Sequence, residues 1–288
     1  MTLETPMRYS ALAEQLDEPM IGTVEHGERW LLLEDRSAWG SHAVRDVFGP
    51  DQTARAKALR LQVVLVRRRE GDPAQDAVRR AMLVDTVTGE MATRTVASAD
   101  ELDVDDLARM RVAAFGDRLD EPLFLVCTNG KRDACCALRG RALMNALQSE
   151  GSASVWECTH LGGHRFAANL VCLPDGIVYG RVTASDGPRL ASEYAHGRLD
   201  PRFLRGRSTW PGPAQVAEQT LRQRLSLDGT RAVSLVEADV TDERAIVTLA
   251  TADGDAHRLE LSASSGEPAR PISCRADELE RPIHWSVV

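Results

Sequence analysis

A chain of 288 residues suits two or three domains, and its 43% apolar content is enough to build ordinary cores, which excludes wholesale disorder. The 35 Lys and Arg against 43 Asp and Glu leave a formal charge of −8, which argues against general nucleic-acid binding, since that needs a basic surface. Glu4, Glu14, Asp17 and Glu18 stand where a secretory leader would need an apolar core, and no run of about 18 apolar residues reads as a membrane span. The expectation is a cytoplasmic protein in which the 6 cysteines act as ligands, catalysts or packing rather than as a disulfide framework.

In chain order, residues 1 to about 27 are polar and read as a short helix and a connection. Arg29–Glu34 is a compact apolar run with the length of a buried strand. Ser37–Gly49 and Asp51–Leu59 read as helical, with Asp51 as the N-cap of the second. Leu61–Val66 is a strand, Glu70–Asp76 a charged surface loop, and Met82–Val87 with Met91–Val96 a hairpin turning at Thr88-Gly89. Asp100–Val112 reads as a helix with acidic residues in its first turn.

The next stretch repeats that order. Pro122–Val126 is a strand, and Ala134–Glu150 a helix whose apolar face is expected to carry Leu138, Ala142, Leu143, Ala146 and Leu147. Ser154–Glu157 is a second strand. Ala168–Leu173 and Ile177–Val182 form a hairpin around Pro174-Asp-Gly176, and Asp186–His196 is a helix stopped by Gly197. Strand, helix, strand, hairpin, helix thus occurs twice. One reading is an internal duplication, which requires the same strand order in both halves; the other is two unrelated α/β layers. Ser208–Pro213 is a linker leading into a helix over Ala214–Leu225. Arg231–Val240, Arg244–Ala250 and His257–Ser262 alternate apolar and polar residues as a three-stranded meander, and Gly266–Val288 reads as an extended tail.

Chemistry concentrates between Cys127 and Arg181. Cys127 follows a strand, Cys135 and Cys136 enter a helix, and His160 and His164 flank Leu-Gly-Gly in a loop after the second strand. In an α/β layer such loops lie side by side at the carboxyl ends of neighbouring strands, where two thiolates and two imidazoles make a tetrahedral donor set. Zinc is the generic occupant. Zinc-finger cysteines are separated by about 2–4 residues, whereas 8 separate Cys127 from Cys136. That spacing leans towards a larger object in which two metals take two ligands each, as in a Rieske-type centre. Thiol exchange would want Cys-x-x-Cys at a helix start, which is absent. No pair of carboxylates at a defined separation marks a glycosidase, and no phosphate loop or nucleophile elbow is present, which gives hydrolysis little support.

Cys127-x8-Cys136, then His160-Leu-Gly-Gly-His164, then Leu173-Pro-Asp-Gly-Ile-Val-Tyr-Gly-Arg-Val182 resembles the thioredoxin-like 2Fe–2S ferredoxins. More closely it resembles the sucrase/ferredoxin-like family, in which His-x-Gly-Gly-His replaces a Cys-x3-Cys pair. The resemblance implies an α/β chain with two thioredoxin-like halves, the second of ferredoxin type, plus a small C-terminal β-rich extension, with boundaries at 1–118, 119–206 and 207–288. It implies a 2Fe–2S cluster held by Cys127 and Cys136 on one iron and by His160 and His164 on the other, serving electron transfer or redox sensing with a redox partner protein. Cys136 is chosen over Cys135 because the family's second cysteine stands ten positions into the motif. A zinc-stabilised binding module without redox activity is the competing reading.

Histidine ligation makes a cluster less negative than four thiolates do, and a ligand imidazole can take up a proton as iron is reduced. The expected reduction potential therefore lies well above that of plant-type ferredoxins and falls as pH rises, because a scarcer proton disfavours the reduced form. Redox titration across about pH 6–10, a window bracketing shifted imidazoles, checks this. A potential that stays flat over the whole window contradicts it.

Among the remaining residues, Asp133 reads as an N-cap and Arg165 as a solvated charge. Cys158 and Cys172 read as packing thiols, and Trp30, Trp39 and Trp156 as core. His26, His42, His196, His257 and His284 lack ligand neighbours in sequence and read as ordinary, and Cys274 has no assigned role.

Overall fold

The computed structural model describes residues 9–68, 78–150, 154–270 and 279–288. The expected loop Glu70–Asp76 and Cys274 lie outside them. After helix α1 (Tyr9–Gln15) come strand β1 (Arg29–Glu34), helix α2 (Ala43–Ala58), β2 (Leu61–Arg67) and the hairpin β3 (Arg79–Asp85) and β4 (Glu90–Val96). A short α3 (Val104–Arg109) between two 3-10 turns leads to β5 (Asp117–Arg118). The second half runs β6 (Leu123–Cys127), α4 (Ala134–Ser149), β7 (Val155–Cys158), β8 (Leu170–Leu173), β9 (Ile177–Tyr179), α5 (Gly187–Ala195) and β10 (Leu204–Arg207).

These strands form one sheet in the order β10-β9-β8-β6-β7-β2-β1-β3-β4-β5. Read outward from the middle, each half has the same order, β2-β1-β3-β4-β5 and β7-β6-β8-β9-β10. The senses also match: β1 is parallel to β2 and antiparallel to β3, as β6 is parallel to β7 and antiparallel to β8. One topology is thus used twice, as duplication requires. The halves join where β2 meets β7 antiparallel, Val66 opposite Cys158 and Arg67 opposite Glu157.

The apolar runs of β1 and β6 are buried on both faces, which is why they read as strands without alternation. One side of the first half packs Leu31, Leu33 and Leu83 against the α2 and α3 region, and one side of the second packs Val126, Leu143 and Leu190. The opposite side is shared: Trp30, Met82 and Met91 cluster with Leu125, Trp156 and Val171. The sheet curls enough for Trp30 Nε1 in β1 to donate to Ser208 Oγ, just past β10, at 3.1 Å. Trp30, Trp39 and Trp156 are core residues, as expected.

The C-terminal part packs helix α6 (Gly212–Leu225) on a separate antiparallel sheet of β11 (Val233–Val240), β12 (Arg244–Thr251), β13 (Ala256–Ser265) and β14 (Ile283–Val287). The expected meander is therefore four-stranded. The tail supplies β14, which pairs with β13 from Leu261–Val287 to Ser265–Ile283.

Other expectations need correction. The first predicted helix starts at Ala43 rather than Ser37, and the break before the second falls at Gly49, whose φ of 77° no helix tolerates. Asp51 is therefore already inside the second helix, not its cap. Asp100–Val112 is not one helix, because Asp103 starts a new cap there, its side chain accepting from Asp105 N and Asp106 N. The buried face of α4 is Cys135, Cys136, Gly140, Leu143, Met144 and Leu147, while Leu138 is 52% exposed. Gly140 sets that phase: a Cβ there would overlap the carbonyl oxygen of Cys127, so helix and strand touch backbone to side.

Candidate metal centre

β6 carries the chain, buried throughout, to Cys127. The turn that follows is built by Asn129, whose backbone oxygen accepts from Arg132 N and Asp133 N and whose Oδ1 accepts from Lys131 N at 3.2 Å. Asp133 then caps α4, its Oδ1 accepting from Cys135 N at 2.9 Å, so Cys136 enters the first helical turn facing back to the strand end. β7 lies parallel to β6 with Cys158 opposite Cys127. Thr159 locks the exit of β7 to the other half: its N–H donates to Leu65 O, and its Oγ1 accepts from Leu65 N at 3.0 Å. His160 follows at once. Gly162 and Gly163, at φ of 74° and 60°, then reverse the chain so that His164 returns beside it.

The ligand atoms of Cys127, Cys136 and His160 all lie within 4.8 Å of one another. His164 stands outside that triad but next to it: its ring centroid is 5.1 Å from that of His160, and its Nε2 is 3.6 Å from Asp133 Oδ2. Three of the four expected ligands thus converge, and the fourth flanks them. Cys135, in contrast, is buried in a small cluster with Tyr9 and Ala167.

The electrostatics mark the triad as a donor set. The Cys136 thiol donates to the Cys127 sulfur, which outweighs the cost of burial; with His160 and the Asn129 backbone adding to it, the Cys127 thiol is pushed down to about 5. Cys136 is pushed up in return by the same shared proton and by burial. The Cys127 thiol, pushed down in this way, is a ready metal ligand. Cys158 and Cys172 are pushed up, by burial first, and behave as packing thiols. Among the described residues, His160 Nδ1 is buried with no hydrogen-bond partner. The donor chemistry fits a borderline or soft metal.

The first half has the same frame with different residues. By strand register Glu34 occupies the place of Cys127, opposite Val66 as Cys127 is opposite Cys158. Arg68, two residues past Val66, stands where His160 stands two past Cys158. Glu34 is held by Arg36 at 3.1 Å instead of offering a free donor.

The chain alone did not reveal what surrounds the histidine loop. Glu18, fully buried, takes Arg165 Nε on Oε1 at 2.7 Å and Arg270 on Oε2 at 3.1 Å, so Arg165 is a paired, mostly buried residue, not a solvated charge. Arg205 in β10 reaches the loop itself. Such partners lie up to 252 residues apart in sequence, and no local pattern announces them. One consequence of the tight backbone approach is testable here. Gly140→Ala forces α4 away from Cys127 and is expected to cost about 1–3 kcal/mol in chemical denaturation, with weakened metal loading. Unchanged stability and loading would show that α4 can shift freely.

The sucrase/ferredoxin-like family matches residues 20–206. A 78-residue stretch is 33% identical to altered inheritance of mitochondria protein 32 of Meyerozyma guilliermondii, covering 24% of this chain and 28% of that one. The chain thus spans a little over a quarter of the length of that relative. The structure of a thioredoxin-like [2Fe-2S] ferredoxin from Aquifex aeolicus matches at 18% identity and a TM-score of 0.29, over 33% of this chain and 98% of that one, too slight a likeness to bear on the fold. With well over half its residues matched, and with the motif residues gathered at one end of the central sheet, the chain belongs to the sucrase/ferredoxin-like family.

Proposed function

We propose that this is an iron–sulfur protein whose 2Fe–2S cluster is held by Cys127, Cys136, His160 and His164, and that it serves one-electron transfer or redox sensing with a partner protein. The observation that carries the reading is the convergence of the ligand atoms of Cys127, Cys136 and His160 within 4.8 Å of one another, with the Cys127 thiol pushed down by its neighbours there. The cluster would supply reversible one-electron chemistry; the chain would supply two thiolates, two imidazoles and a buried setting. His164 joins as the fourth ligand, with Asp133 Oδ2 3.6 Å from its Nε2, a carboxylate placed as those that orient ligand histidines elsewhere.

The division at 1–118, 119–206 and 207–288 belongs to the same proposal: two thioredoxin-like halves, of which the first has lost its ligands, and a C-terminal extension. It is supported by the repeated strand order and by Glu34 and Arg68 at the ligand positions of the first half. Among the described residues no helix is long and apolar enough to cross a membrane.

Two cysteines and a histidine also suit zinc, which would make the protein a binding module without redox activity. Colour separates the two. Protein purified anaerobically is expected to be red-brown with visible absorbance, and to bleach on dithionite. Colourless protein carrying stoichiometric zinc would replace the cluster with the zinc reading.

A further inference from the structure

Arg205 is 1% exposed, and among the described residues no carboxylate pairs with it. Its guanidinium is shared among neutral acceptors: Thr23 Oγ1 at 3.2 Å, Thr23 O at 2.9 Å, Asn169 Oδ1 at 2.9 Å and, more weakly, Gly162 O at 3.4 Å. Asn169 Nδ2 in turn donates to Gly163 O at 3.1 Å. Arg205 and Asn169 together hold both glycine carbonyls of the loop between His160 and His164. Gly163 must be glycine for this, since a Cβ would overlap the guanidinium.

A buried cation without a counter-ion costs several kcal/mol unless negative charge is near. Burial and the neighbouring Arg165 press the Arg205 pKa down to about 9, which leaves it charged at neutral pH, and the Cys136 and Cys127 sulfurs, the two expected thiolate ligands, act in the direction that favours its charge. The wider setting is also cationic. Arg165, Arg181 and Arg205 all stand over the ring of Phe166, at 4.5, 5.5 and 5.3 Å, and the buried carboxylate of Glu18 pairs with Arg165 and Arg270. Asp133 is the opposing charge beside the helix start. In a chain of net charge −8, this is a local concentration of buried positive charge.

We propose that Arg205 is the positioning cation of the metal centre: it fixes the loop that carries both histidine ligands, and its charge stabilises the one-electron-reduced cluster. The inference rests on the cluster reading above. Two ferric ions, two sulfides, two thiolates and two neutral imidazoles sum to no net charge. One electron from dithionite converts one ferric ion to ferrous and leaves the centre singly negative, with no protein bond made or broken. A fixed cation beside it shifts that equilibrium towards reduction.

The test compares full-length wild type, Arg205→Gln and Arg205→Lys, with cluster content read by visible absorbance and potential by dithionite titration at fixed pH. Arg205→Gln is expected to lower the equilibrium constant for reduction at least tenfold, ~59 mV for one electron, while Arg205→Lys stays near wild type. Asn169→Asp, which sets a carboxylate against Arg205, is expected to shift the potential in the same direction. If Arg205→Gln fails to load and Arg205→Lys loads, the charge requirement stands. A loaded Arg205→Gln with wild-type potential overturns the proposal, and so does failure of both variants to load while folded, since shape alone would then explain Arg205. Absence of a cluster from the wild type would count against the proposed function instead.

Discussion

Cys136→Ser is expected to abolish cluster loading, with visible absorbance and iron content falling to background, whereas Cys135→Ser retains both. The two residues are adjacent and equally buried, yet they face different surroundings. Cys136 lies against Cys127 and His160 with its thiol proton shared onto the Cys127 sulfur, while Cys135 packs with Tyr9 and Ala167. A serine at 136 offers a hard oxygen in place of one of two thiolates, and iron–sulfur clusters depend on thiolate donors. A serine at 135 leaves the donor set untouched and changes only the packing beside Tyr9 and Ala167, at about 1–3 kcal/mol of stability. Iron, sulfide and absorbance on both variants decide it. Loss of the cluster in Cys135→Ser with retention in Cys136→Ser would reverse the ligand assignment.

Glu218→Ala is expected to be among the most damaging single changes to stability, although it lies away from the centre. Glu218 Oε1 accepts from Arg207 Nη2 at 3.0 Å and from Arg222 Nε and Nη2 at 3.0 and 2.9 Å. The carboxylate and the Arg222 side chain have no exposure, and that of Arg207 is 8% exposed. Burial alone would press the Arg207 pKa down, yet the Glu218 carboxylate lifts it above the usual guanidinium range. Removing the carboxylate that pairs with both arginines strands two buried cations, which costs roughly 3–5 kcal/mol in comparable buried pairs. Because Arg207 belongs to β10 and Glu218 to α6, the loss should loosen the C-terminal part from the central sheet. Denaturant unfolding measures it. A loss below about 1 kcal/mol, the range of exposed ion pairs, would mean that water reaches the cluster.

The contrast between these two regions shows what the chain discloses on its own. Arg29–Glu34 and Leu123–Cys127 are legible because continuous apolar runs of strand length have few alternatives. β10 is not: no expectation falls on Leu204-Arg-Gly-Arg207, and the partners of its buried arginines, Glu218, Asn169 and Thr23, lie 11, 36 and 182 residues away. The phase of α4 misleads for a related reason, since the helix is drawn in by small residues, Cys135, Cys136 and Gly140, while Leu138 turns outward. At the centre, cysteines and histidines announce themselves by type and spacing. The arginines and Glu18 that surround the histidine loop become visible only once the strands bring them together.

The central claim, a cluster with two sulfur and two imidazole ligands from this chain, is tested most directly by pulsed electron paramagnetic resonance. The dithionite-reduced protein would be compared at natural abundance and with 15N-labelled histidine. The account predicts a paramagnetic 2Fe–2S signal coupled to two inequivalent histidine nitrogens, both changing with the label and one lost in each of His160→Cys and His164→Cys. A reduced cluster with no histidine nitrogen coupling, or with one that survives both substitutions, would contradict it.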